Sequence, residues 1–273
     1  MEFTSLEISS PLFAKIRSML YENAGIMMTE TKVSLVKSRL MKRLRSLGLN
    51  NFEQYLRHVE NDLSGFELDT MIESLTTNKT SFFRETQHFE FMQKYIMPAF
   101  IPGGHLRIWS AGCSSGEEPF SIAILLCESL KSLSRMDVKI LATDISNEVL
   151  AKAREAEYEQ DILIDVPQDF KKKYFEPVRN GNAQKYRVRQ AVRNLVKIAK
   201  LNLMNDWPMK SNFDVVFCRN VMIYFDKETR TKLVNRFWHV IKPGGYLFVG
   251  HSESLTSIAH SFRYVKPAIY KRE

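Results

Sequence analysis

Apolar residues recur at helical spacing through the first 76 positions of the chain. Val33, Val36, Leu40, Leu44 and Leu47 fall on one face of a helix that Gly48 ends, and NNFEQYLRHVEND and GFELDTMIESL continue in shorter helical pieces. After residue 100 the period changes. LRIWS (106–110), VKILATD, VKIAKLNL, FDVVFCRN and YLFVG are short apolar runs of strand type. Between them EEPFSIAILLCESLKSL, NEVLAKAREAEY and KETRTKLVNRFWHVIK repeat with helical period, and a PGG turn precedes the last strand. Alternating β and α elements predict a mainly parallel sheet covered by helices on both faces, with ligands bound at the carboxyl ends of the strands. The expected fold class is therefore α/β, preceded by a small all-helical region.

One stretch fits neither pattern. TTNKTSFFRE (76–85) separates a charged helical segment from the amphipathic stretch HFEFMQKYIMPAF, yet it holds four hydroxyl residues, an asparagine, and an arginine behind two phenylalanines. A plain linker needs none of these.

Composition narrows the possible functions. A chain of 273 residues that is 44% hydrophobic can bury a sizeable core. Cys113, Cys127 and Cys218 are far apart and form no CxxC pair, so neither a disulfide framework nor a zinc site is expected, and a reducing cytoplasm fits. The N-terminal MEFTSLEISSPLF has no basic region ahead of an apolar core, and runs such as IAILLC fall well below the roughly 18 residues of a membrane span. Neither export nor membrane insertion is expected. The six histidines show no metal-ligand spacing, and no metal is expected. The net charge of +8 favours an acidic partner. Lys32, Lys37, Arg39, Lys42, Arg43 and Arg45 lie in one acid-free window, which marks an amphipathic basic helix at 32–45.

The strand ends carry the candidate chemistry. The loop AGCSSG after the first strand has the spacing Gly112…Gly116, not the GxGxxG of a dinucleotide site, and the helix that follows opens with Glu117 and Glu118. A pyrophosphate wants a bare helix N-terminus, so acids there favour a cationic or zwitterionic ligand. Asp144 ends the second strand, where a carboxylate can accept hydrogen bonds from both ribose hydroxyls. A nucleoside with a positively charged tail satisfies both conditions, and S-adenosylmethionine is such a molecule.

TTNKTSFFRE, IWSAGCSSGEEPFSIAI, ATDIS, LNL, FDVVFCRNVMIYF and KPGGYLFVGHSES, in that order, closely resemble the CheR family, the chemotaxis receptor glutamate O-methyltransferases. The resemblance implies a helical N-terminal domain at 1–76 and a linker at 77–90 that contributes to the cofactor site. It then implies a class I, Rossmann-like S-adenosylmethionine-dependent methyltransferase domain at 91–273, with a small antiparallel β subdomain inserted at about 158–195. An Asn180-Gly181 pair in the insertion is a hairpin signal. By the same resemblance Asn78, Thr80 and Arg84 belong to the cofactor site, with Phe82 and Phe83 packing the loop. Glu118 meets the cationic methionyl end, Asp144 the ribose, Asn202 and Leu203 the adenine region, and Arg219 and Asn220 the far side of the pocket. Arg84 and Tyr224 are the implied catalytic residues. The implied partner is the cytoplasmic coiled-coil region of chemoreceptors, reached through the basic helix and the inserted β subdomain by a monomeric enzyme. No nucleic acid is implied.

Three other functions fit the residues less well. An amino-directed nucleic-acid methyltransferase should carry an Asn/Asp-Pro-Pro-aromatic turn after the fourth strand, where Cys-Arg-Asn-Val stands. GHSES approximates a serine-hydrolase elbow, yet downstream of Ser252 only His260 follows and the sole intervening acid is Glu253, beside the serine. A regulator that binds the cofactor without catalysis is disfavoured by the presence of Arg84 and Tyr224.

Overall fold

The computed structural model describes residues 7–100, 103–130, 133–180, 183–209 and 212–273. It divides into two compact units: Met1–Thr77 with Tyr224–Thr229, and Asn78–Ile223 with Arg230–Glu273.

The first unit is helical: α1 (Ser10–Ala24), α2 (Val33–Leu47), α3 (Phe52–Asn61) and α4 (Phe66–Leu75). Its core is built from residues at helical spacing, with Phe13, Ile16 and Leu20 on α1, Val36, Leu40 and Leu44 on α2, Tyr55 and Leu56 on α3, and Met71 and Ile72 on α4. Gly48 ends α2 in the left-handed conformation that glycine adopts without penalty. The basic helix is not uniformly solvated. The Arg43 guanidinium forks onto both oxygens of Glu67, which is only 2% exposed, and Arg39 donates to the Thr76 carbonyl and the Thr77 hydroxyl. Two of its cations therefore hold the helical unit together, while Lys32 and Lys42 are exposed.

The second unit runs α5 (Gln87–Phe91), β1 (His105–Ala111), α6 (Glu117–Ser129), β2 (Asp137–Asp144), α7 (Asn147–Glu155), β3 (Glu157–Glu159), α8 (Gln168–Tyr174), β4 (Phe175–Asn180), β5 (Ala183–Val188), α9 (Gln190–Arg193), β6 (Val196–Lys200), β7 (Phe213–Cys218), α10 (Lys227–Val240, from Arg230 onward), β8 (Ile241–Val249), β9 (Arg263–Lys266) and β10 (Ile269–Lys271). Its main sheet has the order β6-β2-β1-β7-β8-β10-β9. The first five strands are parallel and the last two antiparallel. From β1 the chain adds strands on one side through β2 and on the other through β7, so the order reverses beside β1. That switch point is where open α/β sheets leave a crevice for ligands. Trp109, fully buried on β1, ties its indole N–H to the Thr143 hydroxyl at 2.8 Å, and Phe217 and Phe248 stack with centroids 4.6 Å apart.

Strands β3, β5 and β4 form a separate antiparallel sheet. In the β4–β5 hairpin Asn180 pairs with Ala183, while Gly181 of the expected Asn-Gly turn lies outside the described residues. The helical pattern of NEVLAKAREAEY stops early. Ala156 takes a positive φ and caps α7, and Tyr158, on β3, is buried with its hydroxyl on the Ser115 carbonyl at 2.7 Å. The stretch after the connector is likewise broken, with α5 followed by a π-helical turn over Met92–Ile96 and a short 3-10 turn.

Candidate active site

The loop between β1 and α6 is shaped by close approach. Gly112, Ser114 and Gly116 all have positive φ. A Cβ on Gly112 would lie 2.3 Å from a Val221 methyl, and one on Gly116 2.9 Å from the Tyr158 hydroxyl, so glycine is required at both. The loop leans on the end of β2. Asp144 accepts the Ser114 N–H at 2.9 Å on one oxygen and the Ser146 N–H at 3.0 Å on the other. Burial pushes its carboxyl upward, and these backbone N–H groups oppose the rise. The Leu201 N–H bonds the Asp144 carbonyl at 3.0 Å and so brings the segment after β6 to the same strand end. There Asn202 turns its side-chain oxygen onto the Met204 N–H at 2.9 Å, and buried Leu203 offers its carbonyl to Arg236 at 2.6 Å.

The connector closes on this loop from the other side. The Asn78 carbonyl accepts the Ser114 hydroxyl at 2.9 Å, and the Phe83 N–H bonds the Ser121 hydroxyl at 2.9 Å. Phe82 is buried in edge contacts with Tyr158 and Phe175, so the phenylalanines do pack the segment down. The Arg84 guanidinium rests on the Lys79 carbonyl at 2.9 Å. Thr80 is half-buried, and its hydroxyl has no hydrogen-bond partner among the described residues.

Arg219, at the end of β7, joins these parts. Its side chain, 2% exposed, reaches Glu118 at 3.0 Å, Glu85 at 3.2 Å and the Arg84 carbonyl. Glu118 also accepts the Ser110 hydroxyl at 2.7 Å. Burial raises the Glu118 carboxyl despite Arg219, whereas at Glu85 the upward push of burial is outweighed by Arg219, the His251 N–H and two imidazoles, which hold it low. Next to Arg219, Asn220 has a positive φ and is locked by buried Glu253, which takes the N–H groups of Asn220 at 2.7 Å, Gly250 at 2.6 Å and Ile223 at 3.1 Å. Glu253 is thus an anchor for a turn rather than part of a hydrolase.

Asn78, Arg84, Glu118, Asp144, Asn202, Arg219 and Asn220 are all tied, by side chain or backbone, to the carboxyl ends of β1, β2, β6 and β7. Tyr224 falls in the Tyr224–Thr229 segment grouped with the helical unit, where its hydroxyl bonds the Thr77 carbonyl at 3.2 Å and its carbonyl takes the Met27 N–H at 2.8 Å. Glu85, Ser110 and Glu253 were not singled out as site residues by the sequence. Glu85 stood at the end of the unusual connector, and that was its only signal.

Residues 11–76 match the description "CheR methyltransferase, all-alpha domain", and residues 78–270 match "CheR methyltransferase, SAM binding domain". The chain belongs to the CheR methyltransferase family. A probable chemotaxis protein methyltransferase of Rhizobium etli is 41% identical over 258 residues, covering 93% of this chain and 96% of that protein. The chemotaxis protein methyltransferases of Borreliella burgdorferi and Escherichia coli are each 39% identical, covering 98% and 97% of this chain and 96% and 92% of theirs. S-adenosylmethionine is the cofactor of this CheR domain. The residues present suit it: a glycine-cleared loop, a carboxylate at the end of β2 and a second carboxylate on the first turn of α6.

Proposed function

We propose that this protein transfers the methyl group of S-adenosylmethionine to glutamate side-chain carboxylates of chemoreceptors, forming γ-glutamyl methyl esters. The observation that carries the proposal is the meeting of Glu118, Arg219 and the Arg84 backbone within hydrogen-bonding distance at the strand ends that also hold Asp144. When bound, the cofactor supplies a methyl on a sulfonium, an electrophile that a carboxylate oxygen attacks as the C–S bond breaks and its electron pair stays on sulfur. No proton moves. A glutamate with a reference pKa of ~4.3 is already ionised near neutrality, so the enzyme needs no general base.

What the protein must provide is position. Orientation of the reacting groups out of bulk water can supply ~7–11 kcal/mol of a bimolecular barrier. In this mechanism Asp144 receives the ribose hydroxyls and Glu118 faces the methionyl end. Asn78, Thr80 and Asn220 line the cofactor, and Asn202 and Leu203 border the adenine. Arg84 holds the incoming carboxylate in its planar fork. Residues 1–76 serve as the helical domain, 77–90 as the connector and 91–273 as the methyltransferase domain.

The receptor's acidic helices meet the exposed cations of α2. The outer edge of β4 offers backbone groups to an extended receptor tail by β-augmentation, which would raise the local concentration of the enzyme near its substrate. The protein acts in the cytoplasm as a monomer. Mass spectrometry of a receptor cytoplasmic fragment incubated with enzyme and S-adenosylmethionine tests the proposal. Methyl groups on glutamates, lost when those glutamates are replaced by alanine, are the expected result. Methylation of added DNA or RNA in place of the fragment would favour the nucleic-acid alternative.

A further inference from the structure

The geometry points to a divalent transition-metal site of zinc type formed by Glu85, His88 and His251. The three come from different parts of the chain: Glu85 from the connector, His88 from α5 one turn later, and His251 from the loop after β8. Glu85 Oε2 lies 3.5 Å from His88 Nδ1 and 3.9 Å from His251 Nε2, and one ligand atom of each residue falls within 4.8 Å of the others. A tetrahedral zinc with bonds of about 2.0–2.1 Å keeps its donors roughly 3.3–3.4 Å apart. Small side-chain rotations therefore close this set around an ion.

Two observations go beyond the clustering. His88 is 0% exposed, yet neither of its ring nitrogens has a hydrogen-bond partner among the described residues. A polar group left so inside a core calls for a ligand. Its surroundings also aim it, since the ring is held edge-on to Phe248 at 5.2 Å and to the His251 imidazole at 5.4 Å. His251 is half-exposed, which leaves an approach from solvent. Two imidazoles and one carboxylate suit zinc and its first-row neighbours and are too nitrogen-rich for magnesium or calcium. The ion would compete with Arg219 for Glu85 Oε2, and Arg219 would retain Glu118 and the Arg84 carbonyl.

Calorimetric titration of the full-length protein with zinc chloride, with magnesium chloride in parallel, tests the site without reference to methyl transfer. One zinc per chain and no response to magnesium are expected. His251→Ala keeps the backbone N–H that bonds Glu85 and removes only a half-exposed ring, and it should weaken zinc by at least the roughly 10–100-fold that loss of an outer-shell partner costs. His88→Phe, checked for folding by circular dichroism, should weaken it likewise. Cobalt(II) bound in place of zinc should show no thiolate charge-transfer band. Absence of saturable zinc binding up to about millimolar concentration, undiminished affinity in His251→Ala, or a thiolate band would overturn the assignment.

Discussion

Arg219 gathers two carboxylates and a carbonyl around one buried guanidinium, and beside it the connector presents Arg84, whose side chain leans on Lys79 rather than on an acid. With no carboxylate partner among the described residues, Arg84 can take one from the substrate. Arg84→Lys keeps the charge and loses the bidentate fork, while Arg84→Ala loses both. With interactions to reacting groups commonly worth ~2–4 kcal/mol, the alanine variant should be slower by roughly 30- to 1000-fold in kcat/KM, and lysine should restore only part. Initial-rate measurements would show it, and full activity of the lysine variant would reduce Arg84 to a point charge. A second residue governs stability. Burial, with Arg219 and His251 adding and Glu85 opposing, pushes His88 down to about 3. In the unfolded chain it takes up a proton near its ordinary value, so the stabilising effect of the neutral ring is lost as pH falls from about 6.5 towards 3, by up to ~1.4 kcal/mol per unit. Denaturant unfolding of His88→Phe should show a shallower acid decline than the parent, and parallel curves would mean that His88 does not titrate in that window. Glu118 and Asp144 were legible in the sequence because their positions relative to strand and helix ends are local. Glu85, His88 and Glu253 were not, since their partners lie far away in sequence and no spacing announces them.

At the scale of elements, the basic helix divides in two. Arg43 and Arg39 serve the helical unit, through Glu67 and the Thr76–Thr77 backbone and hydroxyl, and Lys32 and Lys42 face solvent. Arg43→Ala strands Glu67 in the core, and breaking a buried pair in this way costs about 3–5 kcal/mol. Chemical denaturation should register that loss. Lys32→Glu with Lys42→Glu should leave stability nearly unchanged, raise the receptor KM and flatten its dependence on salt. Unaltered methylation kinetics would make α2 a solvated face only. A charge window in the sequence could not separate these cations, because Glu67 is reached across a helix packing and not along the chain. Strands and helices with strong periodicity, such as LRIWS and EEPFSIAILLCESLKSL, stand close to where the pattern put them. The end of NEVLAKAREAEY did not, as burial of Tyr158 and its bond to Ser115 prevail over helical propensity.

In the molecule as a whole, the sheet order puts its switch point beside β1, and in the proposed binding mode Glu118 and Asp144 at the neighbouring strand ends favour a cationic nucleoside over a pyrophosphate. The net charge of +8 suits an acidic partner. Because the nucleophile is an ionised carboxylate, the rate should be nearly flat with pH between about 6 and 8, whereas an amine or hydroxyl nucleophile would need a proton removed and gain rate with pH. The central claim, transfer to a glutamate carboxylate, is tested most directly by the bond formed. Incubation with methyl-labelled S-adenosylmethionine and a receptor cytoplasmic fragment, followed by mild alkali, should release the protein-bound label as volatile methanol, as a carboxyl ester must. Label that stays on the protein through alkali, or that appears only on added nucleic acid, would contradict it.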